Sequence, residues 1–379
     1  MNLTRRKTLT LIGGGTILAA TAAAGYDVTR LPNDALRPWE AAGGYDDPRM
    51  RALSWAILSP NPHNRQPWQV DLSQSDTAIL YVDTARLLPE TDPFNRQITV
   101  GLGCFLEVMR MAALEDGLAV TFELFPEGSD PDALDARPVA VCRFAPTQDG
   151  RDPLFAQVPH RRSNKEPYDL TRPVPSDALQ RIAQAPRHHA MGFTSDTDRV
   201  ARMRAQSLEA LRIEFATERT LRESVDLFRI GHREVNANPD GIDFTGPMFE
   251  SMRMTRLFTR EASMNPDGIV YSSADAAFAE NMNSAMAHLW YVTPDNSRAT
   301  QIRAGQDWVR INLAATAEGL DLQPLSQALQ EYQEMAAMYA EVHADLAPEG
   351  GTVQMWARVG YGPDVPVSPR WPLEEKIVR

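Results

Sequence analysis

Three short stretches of this 379-residue chain carry residue types that can hold or do chemistry. The first is Pro60-Asn61-Pro62-His63-Asn64-Arg65-Gln66-Pro67-Trp68. Its prolines and asparagines favour a rigid, non-helical loop. Such a loop can present the amides of Asn64 and Gln66 to a flat heterocycle, although a loop plugged by a structural tryptophan has the same composition. The second is Arg161-Arg162-Ser163-Asn164-Lys165, ahead of Pro167. Three cations with a hydroxyl among them suit a phosphate, with arginine supplying a bidentate fork and lysine a point charge. A solvated basic turn shares that pattern. The third is the C-terminal run Gly360-Tyr361-Gly362 followed by Ser368-Pro369-Arg370-Trp371-Pro372-Leu373-Glu374-Glu375. Its prolines and tryptophan predict a docked tail, which would fix Arg370 in place.

Other chemistries lack their residues. The seven histidines form no His-Glu-x-x-His or Cys/His zinc spacing. No Gly-x-Gly-x-x-Gly dinucleotide motif occurs, and Gly101-Leu102-Gly103 falls inside an apolar helical pattern. Gly13–Gly15 has no preceding strand and no Gly-Lys-Ser/Thr, which excludes a phosphate loop. Cys104 and Cys142 read as two structural thiols, with a single disulfide open to them in an oxidising compartment. A net charge of −12 argues against nucleic acid as a partner.

The periodicity predicts elements that would position these stretches. After a Pro/Gly-rich linker over 27–46, a helix is expected over Pro48–Leu58, then the Asn loop. Strands follow at Trp68–Leu72 and Ala78–Val82, a long helix at Arg96–Asp116, and strands at Val120–Leu124 and Val139–Phe144. Beyond Pro153, helices are expected at Ser176–Ala183, Asp198–Glu218, Ser297–Glu318 and Ser326–Asp345, with strands at Met286–Val292 and Val353–Val359. The mixture indicates an α+β or α/β layered fold. Gly103, Ala112, Ala113, Asp116, Gly117 and Leu118 each recur 202 positions later, as Gly305, Ala314, Ala315, Glu318, Gly319 and Leu320. A constant offset predicts an internal duplication.

The N-terminus reads as a separate segment. Arg5, Arg6 and Lys7 precede nineteen uncharged residues, Thr8–Tyr26, with small residues at Ala20, Ala22 and Ala24. These are the parts of an export signal, and the arginine pair resembles a twin-arginine signal. A short uncleaved membrane anchor is the competing reading. Removing the segment takes the charge from −12 to −15, since it carries three positive charges.

Together the Pro60–Trp68 loop, Asp92-Pro93-Phe94-Asn95-Arg96, Arg161–Lys165 and the tail Arg358–Glu375 resemble the nitroreductase family over most of the chain beyond residue 46. The match is most similar to the duplicated, single-chain Acg-like branch. The resemblance implies an α+β nitroreductase-like fold of two tandem halves, 47–150 and 151–379, forming an internal pseudo-dimer. It implies one FMN per chain, because the Asn loop occurs in the first half alone and the Arg-x-Ser-x-Lys turn in the second alone. The implied cofactor-binding residues are Asn61, His63, Asn64, Gln66, Arg161, Arg162, Ser163, Lys165, Pro324, Leu325, Ser326 and Arg370. In that set, Arg161, Ser163 and Arg370 would hold the phosphate and ribityl end. Lys165 would sit near flavin N1 and O2, Asn64 at the pyrimidine edge, and amides of Pro324–Gln327 at a helix start near N5. NADH or NADPH would bind transiently as donor, with a nitro or quinone-like small molecule as acceptor, and no protein nucleophile or metal is required. The partners implied are that acceptor and the twin-arginine export machinery, with a monomeric, periplasmic product. Two departures stand out: Asn61 replaces the family's usual serine, and residues 225–270 add a Met/Phe-rich stretch. Core packing is one reading of that stretch. A lid over the flavin, as in the Acg-like branch, is the other, and it would favour sequestration over turnover.

Overall fold

The computed structural model describes residues 31–378; the segment read as an export signal lies outside them. The first half opens with α1 (Asn33–Ala41) and α2 (Pro48–Ala56). Asp47 caps α2 by accepting the Arg49 N–H, and Pro48 at its first position has no N–H to leave unpaired. Strands β1 (Trp68–Asp71) and β2 (Thr77–Val82) lead to α3 (Arg96–Glu115), then β3 (Leu118–Leu124) and β4 (Ala140–Pro146). The Asp92 carboxylate fixes the start of α3 by accepting the Gln97 and Ile98 N–H groups at 3.0 and 2.9 Å. These strands form one antiparallel sheet in the order β1-β2-β4-β3.

The second half begins with α4 (Ser176–Ile182) and β5 (Met191–Thr194). A long excursion follows: α5 (Thr197–Ala216), α6 (Glu218–Asp226), β6 (Phe228–Ile230), α7 (His232–Ala237), β7 (Ile242–Phe244), α8 (Pro247–Met254), α9 (Arg260–Ser263) and α10 (Ile269–Asn283). The chain then returns through β8 (Ala287–Thr293), α11 (Arg298–Ala317), β9 (Asp321–Pro324), α12 (Ala336–Leu346) and β10 (Thr352–Gly360). The second sheet is ordered β5-β8-β10-β9. Each sheet therefore places its strands first, second, fourth and third, with a long helix between the second and third. The duplication is visible in topology as well as in sequence.

The repeated helices meet each other. A Cβ on Gly103 of α3 would lie 2.1 Å from the Ile302 carbonyl and 2.9 Å from the Gly305 Cα. One on Gly305 of α11 would lie 2.0 Å from the Val100 carbonyl and 2.8 Å from the Gly103 Cα. Equivalent residues touching each other is the signature of a two-fold interface. Here it runs within one polypeptide, between halves of one α+β protein. Both helices end on a glycine with left-handed backbone, Gly117 (φ +70°) and Gly319 (φ +67°).

One apolar cluster centres on each half, with α3 contributing side chains to both. Trp68, Leu53 and Phe105 centre the first, and Tyr291, Trp308 and Leu289 the second. A third, around Trp356, Met203 and Met335, packs α5 and α12 on the other face of the second sheet. The tail leaves the half it follows in sequence. Leu373 joins the first core, the Val378 N–H donates to the Val70 carbonyl at 2.9 Å, and Ile377 bridges Val70 beside β1.

Some elements differ from the pattern-based reading. Residues 326–335 do not start a long helix. They form two three-residue 3-10 turns, Gln327–Leu329 and Gln333–Met335, before α12. The break has a tertiary cause, because Arg96 of α3 donates to the Leu329 carbonyl (2.6 Å) and pairs with Glu331 (3.1 Å). The linker contains α1, and the expected Asp198–Glu218 helix continues after a break as α6. Strands β5, β6, β7 and β9 are each only three or four residues long, too short for periodicity to reveal. Both cysteines are buried free thiols, and burial pushes Cys104 up to about 12.

Candidate functional site

The Asn loop is strained and braced. His63, Asn64 and Gln66 all have positive φ (+47°, +50°, +50°), a conformation costing roughly 1–2 kcal/mol for a residue with a side chain. Asn61 braces it: its Oδ1 accepts the Gln66 N–H at 2.7 Å and its Nδ2 donates to the Ser59 carbonyl at 3.2 Å. Gly101 of α3 admits this loop, since a Cβ there would lie 3.2 Å from Asn61 Cβ. Strain held by its surroundings in this way is a marker of functional loops.

Two arginines from distant parts of the chain converge beside it. Arg370 is buried, donating from Nε to the Ile57 carbonyl (2.8 Å) and from Nη2 to those of Leu58 (3.1 Å) and Ser59 (3.2 Å). Its Nη1 donates to Asn64 Oδ1 at 2.7 Å. Arg161 is buried too, with Nη2 3.4 Å from the same Leu58 carbonyl and Nη1 without a partner. Burial lowers Arg370 to about 9, with repulsion from Arg161 adding to it, and burial lowers Arg161 to about 10. Arg162 donates to the Pro159 and Arg161 carbonyls and lies 5.3 Å above the Trp39 ring of α1, while Arg370 approaches the same ring at 5.6 Å. Among the described residues, no carboxylate forms an ion pair with Arg161, Arg162, Lys165 or Arg370.

Ser163 and Lys165 remain accessible at the rim. Lys165 is close enough to help hold His63 neutral: burial first, then the charges of Lys165 and Arg65, push that imidazole down to about 4. Its Nδ1 is buried without a partner. Asp243 on β7 is exposed at the surface, near the charges of Lys165 and Arg370. Desolvation by neighbouring protein raises its carboxyl, and the charges of Lys165 and Arg370 oppose that rise.

The loop amides are engaged within the protein. Asn64 Nδ2 donates to the Pro369 carbonyl at 3.0 Å. Gln66 Nε2 donates to the Pro239 carbonyl at 2.6 Å, and its Oε1 accepts the Trp371 N–H at 2.9 Å. Asn64 and Gln66 thus tie the tail and the β6–β7 segment to the loop. Asp240 completes this junction, pairing with Arg229 (2.7 Å), Arg65 (3.6 Å) and Arg86. Lys376 donates to the Gln66 carbonyl at 3.0 Å, and burial lowers it to about 7.

Pro324, Leu325 and Ser326 stand differently from the sequence expectation. Proline has no N–H, the Leu325 N–H donates to the Trp356 carbonyl at 2.8 Å, and the turn that follows is 3-10. The Asn164 N–H donates to Leu322 (3.2 Å), which brings the cradle within two residues of Pro324. No sequence motif pointed to Trp39, Asp240 or Asp243. Trp39 lay in the presumed linker, and the two acids become relevant only once β6 and β7 fold over the loop.

Two related α+β halves meeting through equivalent helices, with Arg161 of the second half and Arg370 of the tail both reaching the Leu58 carbonyl of the first, make this a pseudo-dimeric protein. No protein-family model matches the chain. It is 24% identical over 334 residues to a Mycobacterium tuberculosis protein provisionally named NAD(P)H nitroreductase Acg, covering 86% of this chain and 93% of that one. A second protein of that organism, also provisionally named an NAD(P)H nitroreductase, is 27% identical over 330 residues, 86% of this chain and 89% of its own. The FMN-dependent nitroreductase NfnB from Mycobacterium smegmatis, solved with NADPH, overlaps 58% of this chain and 94% of its own at 17% identity, with a TM-score of 0.34. The chain is thus similar, along matches that run through both halves, to proteins provisionally named nitroreductases of the Acg-like kind.

Proposed function

We propose that the chain is an oxidoreductase that holds one FMN between its halves, accepts electrons from NADH or NADPH, and reduces nitro or quinone-like small molecules. The observation carrying this reading is Arg161, a buried guanidinium with an unpartnered Nη1 beside a second buried arginine and no paired carboxylate. Buried cations left in this state favour an anion strongly. The donor set therefore fits the phosphate end of FMN. Arg161, Arg162, Ser163 and Arg370 would hold that end. Lys165 would place a positive charge where it favours the reduced ring. The Asn loop acts by orienting Arg370 through Asn64 Oδ1. His63 stays neutral and adds no competing charge. FMN, when bound, would supply the hydride chemistry. The names of the two full-length relatives support the nicotinamide donor class.

On this reading the units span 47–150 and 151–379, the second lending its tail to the first, and the working protein is a monomer. The same proposal takes residues 1–26 as a twin-arginine signal delivering a folded, flavin-loaded chain to the periplasm. The second reading, flavin sequestration, is favoured by the hydrogen bonds that close residues 239–241 over the loop.

Purified protein should be yellow, with about one FMN per chain. A colourless protein that ignores added FMN would overturn both readings. Bleaching by NADPH and reoxidation by a nitroaromatic compound supports the enzyme, whereas reduction by dithionite alone supports sequestration.

A further inference from the structure

Helix α1 lies ahead of both repeated units, yet it supplies an aromatic ring to the converging arginines. The C-terminal tail runs against it. The Arg370 N–H donates to the Ala35 carbonyl at 2.8 Å, and Trp39 Nε1 donates to the Ser368 carbonyl at 2.8 Å. The Ala35 N–H in turn donates to Asn236 Oδ1 of α7 at 3.1 Å. These bonds fix the half-buried Trp39 ring between parts of the chain that are remote in sequence. Arg162 of the second half lies 5.3 Å from its centroid, and Arg370 of the tail 5.6 Å. Both distances fall inside the roughly 6 Å reach of a cation–π contact.

Like charges crowd here, and the ring answers that difficulty. After burial itself, the charges of Arg161 and Arg162 both oppose that of Arg370. Asp243 attracts Arg370 from beyond ion-pair distance. A carboxylate set directly between the arginines would offset their repulsion, but it would also occupy the donors that an anionic ligand needs. An aromatic face attracts a guanidinium through its quadrupole and carries no net charge. Trp39 therefore brings two arginines together and leaves their charge undiminished.

We propose that Trp39 is a positioning residue for an anion, its ring gathering Arg162 and Arg370 so that both charges meet a phosphate monoester. That monoester is the phosphate of FMN, a choice of ligand that rests on the flavin reading. Trp39→Leu removes the ring and the Nε1 bond to Ser368, whereas Trp39→Phe removes the bond and keeps a ring face. In titrations of the full chain, Trp39→Leu should weaken FMN binding about tenfold, and Trp39→Phe should recover most of the loss. Riboflavin, which lacks the phosphate, should bind more weakly and equally to all three proteins. Equal losses for FMN and riboflavin would overturn the proposal, because Trp39 would then act only through the fold. Equal losses in the two variants would overturn it as well, assigning the effect to the Ser368 bond, and so would unchanged FMN affinity in Trp39→Leu. Inorganic phosphate separates this inference from the flavin reading. Without flavin, phosphate should raise the melting temperature of the native chain beyond that of Trp39→Leu. A native chain that responds so to phosphate but ignores FMN would refute the flavin reading and uphold the role of Trp39. One that responds to neither would refute both.

Discussion

Arg161 and Arg370 illustrate how much a single buried charge can decide. Each lacks a carboxylate partner, and both reach the Leu58 carbonyl from parts of the chain more than 200 residues apart. Replacing Arg161 with Met should weaken FMN binding about a hundredfold, the loss of one to two charge-assisted bonds. The stability of the flavin-free protein should not fall, since an unpaired buried cation is removed. Flavin titration and melting curves with and without FMN check both halves of that expectation. His63 and His288 carry a pH signature. Burial lowers His63 to about 4 and His288 to about 3, below the ordinary histidine value. The unfolded chain then binds more protons than the folded one in the window between, so lower pH favours unfolding. Stability should decline as pH falls from about 6.5 toward 4. His63→Asn, which tolerates a left-handed backbone, should flatten that slope by about one proton. A pH series of urea denaturations measures it, and an unaltered slope would exclude His63.

At the scale of elements, the crossing of α3 and α11 and the closure of β6–β7 over the Asn loop matter most. A side chain at Gly103 has no space, because the Ile302 carbonyl lies 2.1 Å from where its Cβ would be. Gly103→Val should therefore cost more than about 3 kcal/mol in urea denaturation, through overpacking at a site that cannot yield. The glycine repeat at 103 and 305 was legible in the sequence as a duplication. Its role as the meeting point of the halves was not, because spacing along a chain carries no information on which helix faces which. Asp240 holds the closed segment against three arginines. Asp240→Asn should raise amide exchange in β6 and β7 at least about tenfold and speed dithionite reduction of bound flavin. Unaltered exchange would mean that the Gln66 bonds alone keep it shut.

For the molecule as a whole, the proposed flavin site is composite. The Asn loop belongs to the first half, the cradle to the second, and Arg370 to a tail that crosses back to β1. Residues 31–150 and 151–379 expressed separately should each fail to bind FMN in a fluorescence titration. Binding by either piece would refute the composite site.

The sequence by itself determined which chemistry was open to this protein. The Asn loop, the Arg161–Lys165 cluster, the 202-residue repeat and the lack of metal or nucleophile motifs were all local, and local patterns survive in one dimension. The long helices, Arg96–Glu115 and Arg298–Ala317, were legible for the same reason. Only the tertiary structure decided what each group is free to do. It spends the amides of Asn64 and Gln66 on the tail and on Pro239, leaves Arg161 Nη1 unpartnered, and breaks the helix expected at Ser326 to satisfy Arg96. The physical reason is that hydrogen-bond satisfaction and charge pairing in a buried site depend on partners hundreds of residues away, which no spacing rule records.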